Sequence, residues 1–365
     1  MMVNIRHRLM LFFHNSSLSD AVDSKKDLFI IFRFLASFLV LYAHSYHIYG
    51  LGADPFTQRT GVYTGTFAVY IFFTISGFFI IKSAMDRSFP QYILARFIRI
   101  YPALILCNFT TIVFIIPIAM DLNWISFVFT IEAKEYLKIN SILDTLKFTI
   151  AGVFENNPDK AINGSLWTLP VEVRAYVVAL LIVMLGLTKR KSVFNSFLFI
   201  TVFVNFKFPD FYSVIFPVPG SVSLLFYFLL GCFLYVNRKF IPVSPILVVI
   251  TSILVVKYRF EWPSIVISML LSYLVISSGY VLRRYLDFNL KNDYSYGFYL
   301  YAYPVSQLSY IFFSELGFYY YLLFVVFLTM VLSFLSWHLV EKTVSSFARS
   351  AIFPKMNCYT FNVSN

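Results

Sequence analysis

The sequence predicts an all-α membrane protein, a polytopic bundle of about ten transmembrane helices with both termini in the cytoplasm. Of its 365 residues, 59% are hydrophobic and only 13% are charged, and the mean hydropathy is +0.75. A soluble domain carries roughly 25% charged residues. Because so few charges cannot cover a water-facing surface, most of the outer surface must meet lipid.

Ten apolar segments approach the length of about 20 residues that a helix needs to cross the hydrocarbon core of a bilayer. They lie near 28–50, 66–83, 101–120, 166–187, 193–208, 220–236, 241–257, 262–282, 295–313 and 319–340. Another apolar stretch, 139–154, contains Asp144 and Lys147, and we expect it to be interfacial or re-entrant. The chain then divides into a cytoplasmic segment 1–27, a transmembrane domain 28–340 and a cytoplasmic tail 341–365.

The distribution of the 29 lysines and arginines orients these spans. With the N-terminus in the cytoplasm, 19 of them fall in inside segments and 8 in outside segments, while Arg33 and Arg174 lie within spans. Basic residues mark the cytoplasmic side of a membrane protein, so the net charge of +11 does not require a nucleic-acid partner. The cysteines Cys107, Cys232 and Cys358 match neither a disulfide framework nor a metal site.

The first span carries two ionisable groups in the stretch RFLASFLVLYAH, with Arg33 near its cytoplasmic end and His44 in its outer third. Eleven residues make almost three helical turns, so the two share a face, about 16 Å apart along the axis. Ionisable groups inside a membrane are costly and usually face a cavity or a partner, which indicates function. The alternative is that Arg33 snorkels to the interface and His44 is a packed core histidine.

The motif ARFIRIYP places Arg96 and Arg99 three residues apart just before the third span, as neighbours on one helix. Two guanidinium groups at the cytoplasmic surface suit a phosphate-rich ligand, because each can bind phosphate in a bidentate manner. The alternative is ordinary positive-inside charge.

The motif SLWTLPVEVRAYV places Glu172 roughly 9 Å below the outer start of the fourth span, at a depth similar to that of His44. A carboxylate beside an imidazole orients the ring and stabilises its charged form. We therefore expect Glu172 to pair with His44, while Arg174 points elsewhere. The alternative is an interfacial cluster of Glu172 and Arg174 without chemistry.

Two aromatic stretches indicate packing more than chemistry. The span Gly65–Ile80 contains Ser76 and Gly77 near its inner end, and small residues let helices approach closely. The stretch Tyr294–Pro304 is dense in tyrosine, whose hydroxyls could line a polar groove, although aromatic belts and packing explain many of them.

Together these motifs resemble the acyltransferase-3 family of integral membrane acyltransferases, which modify cell-surface polysaccharides, lipopolysaccharide, peptidoglycan and other acceptors. The residues that carry the resemblance run in order along nearly the whole chain: Arg33 and His44; Phe72–Phe78; Arg96 and Arg99; Trp167, Leu169 and Glu172; Ser295, Tyr296, Tyr299 and Leu300; and Ser336–Lys342. The sequence departs from the family at Ala302, where many members have a histidine that Tyr301 or Tyr303 could replace. We also expect the chain to lack the extracytoplasmic hydrolase-like domain that some members carry.

The resemblance implies acyl-CoA, usually acetyl-CoA, as the donor, and no metal ion. Arg96 and Arg99, together with Arg33, would bind the phosphates of the donor at the cytoplasmic face. His44, oriented by Glu172, would act as general base on an acceptor hydroxyl or take the acyl group itself. The sequence does not separate these two routes.

The resemblance does not identify the acceptor. We expect a polysaccharide or a lipid-linked glycan, and we expect the protein to lie in the inner membrane of a bacterium. Trp167, Tyr299 and Tyr303 are the candidate residues for binding the acceptor. A transporter or flippase for a lipid-linked glycan would also need many spans and buried charges, but it favours internal repeats, and none is visible. A non-enzymatic membrane scaffold would leave the geometry of His44 without a purpose.

Overall fold

A computed structural model of the chain describes residues 16–24, 27–258, 264–286, 290 and 292–351. The described chain is predominantly helical, which confirms the predicted class. Much of the predicted segment 1–27 and of the tail 341–365 lies outside these residues, as does Cys358. Several basic residues on which the predicted orientation depends also lie outside them: Arg6, Arg8, Lys25, Lys26, Arg259, Lys291 and Lys355.

The regular elements follow the chain in a simple order. The helices are α1 Leu18–Asp23, α2 Phe29–Ile48, α3 Pro55–Thr60, α4 Thr64–Asp86, α5 Phe89–Thr110, α6 Ile116–Met120, α7 Trp124–Val128, α8 Ile131–Ile142, α9 Thr168–Met184, α10 Lys191–Lys207, α11 Ser221–Val236, α12 Pro245–Lys257, α13 Ile265–Arg283, α14 Ser295–Phe313, α15 Phe318–Ser336 and α16 Lys342–Ala351. Single π-helical turns, Thr111–Ile115 and Trp337–Glu341, join α5 to α6 and α15 to α16. Two short strands, β1 Ser16–Ser17 and β2 Pro242–Val243, pair antiparallel.

Six helical segments in the described ranges are long and apolar enough to cross a membrane. They are Phe29–Ile48, Thr64–Asp86, Phe89–Met120, Gly164–Met184, Ile265–Arg283 and Phe318–Ala348. The helices Ser221–Val236 and Pro245–Lys257 are also apolar but shorter. Each of the ten predicted spans coincides with a helix, whereas ten crossings and two cytoplasmic termini stay predictions.

The third long helix begins earlier than the sequence predicted. Ser88 and Gln91 form a capping box, in which the Ser88 amide donates to Gln91 Oε1 at 3.2 Å. Pro90 lies in the first turn, where its missing N–H removes no intrahelical bond. The helix therefore starts directly after Ser88, and Arg96 and Arg99 lie inside it rather than just before it.

The predicted interfacial stretch 139–154 is only partly helical. α8 ends at Ile142, and the chain then continues without helix or strand to Asn163. The Asn140 side chain holds the turn that follows, since it both donates to the carbonyl and accepts from the amide of Lys147, at 2.9 Å each. The relation of this stretch to a membrane interface stays a prediction.

The described chain divides into two compact units, and α2, α4 and α9 each pass from one unit to the other. The first unit comprises the described parts of Met1–Arg33, Val69–Arg87 and Val173–Leu290, and the second comprises those of Phe34–Ala68, Ser88–Glu172 and Lys291–Asn365.

Two glycines let α4 and α11 approach closely within the first unit. A Cβ on Gly77 would clash with the backbone carbonyl of Phe228, and one on Gly231 would clash with that of Thr74. The Cys232 thiol donates to the Gly77 carbonyl at 3.3 Å. The predicted packing role of Gly77 is thereby confirmed, and the small residue is needed because backbone meets backbone.

The second unit is built around α14, whose residues from Ser295 to Gln307 are all buried. Pro304 lacks an N–H, so the carbonyl of Leu300 has no helical donor. That carbonyl instead accepts from Asn163 Nδ2 at 3.0 Å and from the Cys107 thiol at 3.4 Å. The proline therefore attaches α14 to the connection that precedes α9.

We predict that Gly231→Val lowers the thermal stability of the purified protein by several degrees. The added side chain cannot fit between the α4 and α11 backbones, and overpacking of this kind costs about 1–3 kcal/mol or more. Thermal unfolding in detergent, followed by size-exclusion chromatography, measures the effect. Val249→Leu adds volume at an exposed site on α12 and should leave the midpoint unchanged. Equal midpoints for Gly231→Val and wild type would contradict the close approach.

Candidate active site

His44 lies on α2 in the part that belongs to the second unit, and it is half-buried. Its Nδ1 lies 3.2 Å from the Tyr63 hydroxyl. The ring of Tyr303 meets it edge-on, with the ring centroids 4.9 Å apart. Within the described ranges, Nε2 of His44 makes no hydrogen bond to protein, so this nitrogen is the one available to a substrate.

Tyr63 is placed by the short connection between α2 and α4. Asp54 caps α3 by accepting two amide N–H groups of its first turn, and its carboxylate also accepts the hydroxyls of Thr57 and Thr64, at 2.5 Å each. Burial acts to raise the pKa of Asp54, but these hydrogen bonds outweigh it and hold that pKa below its usual range. The charged Asp54 side chain thus holds Thr64, and with it the preceding Tyr63, beside His44.

The negative charge of Asp159 interacts electrostatically with the imidazole of His44. Its Oδ2 accepts from the Tyr303 hydroxyl at 2.5 Å and lies 3.1 Å from His47 Nε2. The Asp159 side chain is 19% exposed and that of His47 is 58% exposed. Gly164 leaves room for the Tyr303 ring, since a Cβ there would lie 2.6 Å from it. Asp159 therefore anchors the tyrosine that packs on His44.

Amide side chains tie the segment that carries Asp159 to α14. The fully buried Gln307 donates from Nε2 to the carbonyls of Asp159 and Ala161, at 2.8 and 2.6 Å. Its Oε1 accepts from Asn157 Nδ2 at 2.6 Å. The Ala161 amide in turn donates to Asp159 Oδ1 at 2.8 Å. Both the backbone and the carboxylate of Asp159 are consequently held.

Tyr299 joins α14 to the start of α9. Its hydroxyl donates to the carbonyl of Ser165 at 2.7 Å and lies 2.7 Å from Thr168 Oγ1. Trp167, which ends the 3₁₀ turn before α9, is half-buried. The predicted acceptor-binding residues Trp167 and Tyr299 therefore both lie where the 3₁₀ turn meets the start of α9.

Glu172 lies one turn after Thr168 on α9 and is half-buried. Its charge interacts electrostatically with the hydroxyl of Tyr299. The residues that interact electrostatically with His44 are His47 and Asp159. The pairing of Glu172 with His44 stays a prediction.

Arg99 belongs to a polar cluster of the second unit that also contains Asp293 and Glu341. Its Nη2 lies 3.3 Å from Asp293 Oδ2, and its guanidinium lies over the ring of Tyr296 at 5.2 Å. The buried Glu341, which accepts from Ser336 Oγ at 3.0 Å, adds a second carboxylate that acts on Arg99. Because the Arg99 side chain is 31% exposed, an anionic ligand could reach it but would compete with these carboxylates.

The other two arginines of interest each pack against an aromatic ring. Arg96 is half-buried on α5, with its guanidinium over the ring of Tyr92 at 5.8 Å. Arg33 belongs to the first unit, with its guanidinium 5.7 Å from the ring of Phe79. Of the predicted site residues, His44 and Tyr303 are in direct contact.

Sequence reasoning missed Tyr63 and Asp159. Both lie in polar connections, where helical periodicity carries no information. For Asp159 the available signal was the long connection 121–165, in which residues 143–163 form no helix or strand, because a long stretch without regular structure inside a compact domain is usually functional or disordered. The part of the chain that the structure describes contains no group of three His, Cys, Asp or Glu side chains suited to a metal ion.

A half-buried histidine that is held at one nitrogen and open at the other can move a proton. Comparison with known proteins identifies the class of protein to which the chain belongs. The family described as "Acyltransferase domain" matches residues 28–338. A protein named O-acetyl transferase from Shigella phage Sf6 is 29% identical over 338 residues, which cover 87% of this chain and 96% of that protein. No solved structure matches the chain. Since the family match covers most of its length, the chain belongs to the acyltransferase-3 family and is a membrane acyltransferase.

Proposed function

We propose that the protein is an O-acetyltransferase that moves an acetyl group from cytoplasmic acetyl-CoA to a hydroxyl of a cell-surface or lipid-linked polysaccharide. The observation that carries the proposal is His44, held at Nδ1 and along its ring but open at Nε2. The name of the phage relative supports an acetyl group over a longer acyl chain, and its source supports a bacterial membrane, for which we propose the inner membrane.

In direct transfer, His44 Nε2 takes the proton of the acceptor hydroxyl while the oxygen forms a bond to the thioester carbonyl carbon. The carbon–sulfur bond then breaks, and the CoA thiolate takes the proton from His44, which restores the histidine. Nδ1 keeps its hydrogen throughout, in a hydrogen bond to the oxygen of the Tyr63 hydroxyl. In the alternative relay, Nε2 itself forms a bond to the acetyl group before the acceptor receives it.

For the donor, we propose that Arg96 and Arg99, with Arg33, bind the phosphates of acetyl-CoA. The bidentate guanidinium suits this role, and the partial exposure of Arg99 supports it. Asp293 would be the group that the phosphate displaces from Arg99. Neutralisation by a carboxylate lowers the cost of keeping an empty cationic site in a poorly hydrated region.

For the acceptor, we propose that Trp167, Tyr299 and Tyr303 present ring faces to the sugar. The hydroxyls of both tyrosines already donate to protein groups, to the carbonyl of Ser165 and to Asp159. Their apolar surfaces are therefore the parts that would stack against a pyranose ring, and because both tyrosines are buried, the half-buried Trp167 is the most accessible of the three. Glu172, whose charge acts on Tyr299, would supply negative charge near the same place.

Replacement of His44 by alanine should lower turnover by about 10²–10⁴-fold, as the loss of a general base does. Protein purified in detergent is incubated with acetyl-CoA labelled in its acetyl group and with a mixture of methyl glycosides as soluble acceptors. Release of CoA and labelled ester are both measured. The variant should elute and unfold like wild type, and turnover near the wild-type level would exclude His44 from the reaction.

Arg96→Ala and Arg99→Ala should raise the KM for acetyl-CoA more than they lower kcat, because ground-state phosphate binding is lost. Lysine at either position should restore the KM only in part, since a point charge does not replace a bidentate fork. Arg59→Ala removes an exposed arginine and is the control for charge alone. If donor KM is unchanged in both variants, the two arginines only orient the chain in the membrane.

Glu172→Gln should lower kcat by about tenfold, the effect of losing roughly 1.4 kcal/mol of transition-state stabilisation, with little change in donor KM. The substitution keeps the shape of the side chain and removes its charge, which we propose stabilises the cation formed on His44. Glu132→Gln makes the same change at an exposed site on α8 and serves as the control. Normal kcat in Glu172→Gln would show that another carboxylate has this role.

A further inference from the structure

We propose that Asp159 is a positioning residue for His44 and that it acts through Tyr303. The inference deepens the proposed function and rests on the role of His44 as the base or acyl carrier. It concerns a residue of the connection before α9, and every group on which it depends belongs to the second unit.

The first step of the argument is that one hydrogen bond does not hold an imidazole ring. The contact between His44 Nδ1 and the Tyr63 hydroxyl leaves the ring free to swing about that atom. The edge of the Tyr303 ring, 4.9 Å away between centroids and inclined at 67°, restricts this motion. Nε2 is then aimed in one direction, and catalysis depends steeply on such alignment.

The second step is that the Tyr303 ring is itself held from its far end. Its hydroxyl donates to Asp159 Oδ2 at 2.5 Å, and hydrogen bonds to a charged acceptor are short and about twice as strong as neutral ones. The side chain is buried, and the absence of a Cβ at Gly164 gives the ring its space. Asp159 therefore determines where the ring lies against His44.

The third step is that Asp159 cannot follow the tyrosine if the tyrosine moves. Its Oδ1 accepts from the Ala161 amide, and its backbone carbonyl accepts from the buried Gln307. Gln307 lies one turn after Tyr303 on α14, so the anchor and the anchored ring share one helix. His47, one turn after His44 on α2, reaches the same carboxylate at 3.1 Å. The carboxylate is thus fixed relative to both helices.

The experiment is a double-mutant cycle with Asp159→Asn, Tyr303→Phe and the double variant, assayed with labelled acetyl-CoA and methyl glycosides. Each single variant should lower kcat by about 10- to 100-fold, because misplacement of a reacting group has that effect. The KM for acetyl-CoA should stay the same. The kcat of the double variant should lie no more than about twofold below that of the less active single variant, because both substitutions break the same hydrogen bond.

Matched controls separate positioning from stability. Asp210→Asn and Tyr46→Phe make the same chemical changes away from this contact and should keep wild-type kcat. Gly231→Val lowers thermal stability through the first unit and should also keep kcat when assayed below its midpoint. If Gly231→Val loses as much kcat as Asp159→Asn, the fall reflects instability and the inference is overturned.

The remaining outcomes tell this inference apart from the proposed function. Normal kcat in Asp159→Asn or Tyr303→Phe, with His44→Ala inactive, overturns the positioning role and leaves the proposed function standing. Independent, multiplicative effects in the double variant overturn it as well, since the two residues would then not act through one bond. Full turnover in His44→Ala overturns the proposed function itself.

Discussion

The buried polar side chains of α14 need hydrogen-bond partners, and the way this need is met organises the second unit. A polar group taken out of water without a partner costs several kcal/mol in an apolar environment. Tyr299, Tyr303 and Gln307 are spaced by four residues and therefore share a face of the helix. All three find their partners on the segment from 157 to 168.

The same bonds explain how an irregular stretch can lie against apolar helices. Backbone groups of such a stretch are tolerated in a membrane protein only where protein or water satisfies them. The carbonyls of Asp159, Ala161 and Ser165 accept from side chains of α14, and the side chain of Asn163 occupies the carbonyl that Pro304 leaves open. The connection is thus part of the folded core, and the carboxylate beside His44 comes with it.

α14 also relates the polar cluster of Arg99, Asp293 and Glu341 to the polar residues around His44. Tyr296 lies under the Arg99 guanidinium, and Tyr303 lies against His44. Seven residues of helix separate the two tyrosines, a rise of about 10 Å. A ligand with an anionic group at one end and a reactive carbonyl at the other suits such an arrangement. Asp293 would neutralise Arg99 until the anionic group arrives.

The sequence by itself determined the helical membrane class, the positions of the ten apolar helices apart from the start of α5, and the place of Arg33 and His44 on one of them. Its apolar periods and charge distribution act locally, within one helix, so they can be read without a fold. Gly77 was identified in the same way, because a small residue in an apolar helix has few other purposes. The ordered motifs also predicted the family that the comparison with known proteins confirms.

Only the tertiary structure decided what surrounds His44. Tyr63 is 19 residues from it in the chain, and Asp159 and Tyr303 are 144 residues apart. Depth below the membrane surface favoured Glu172 as the partner, but equal depth does not establish contact between helices, and the pairing stays a prediction. The periodicity of a helix tells which face is buried and not which distant side chain covers it. That choice depends on how α2, α14 and the connection before α9 satisfy one another's polar groups, which no single segment of the sequence specifies.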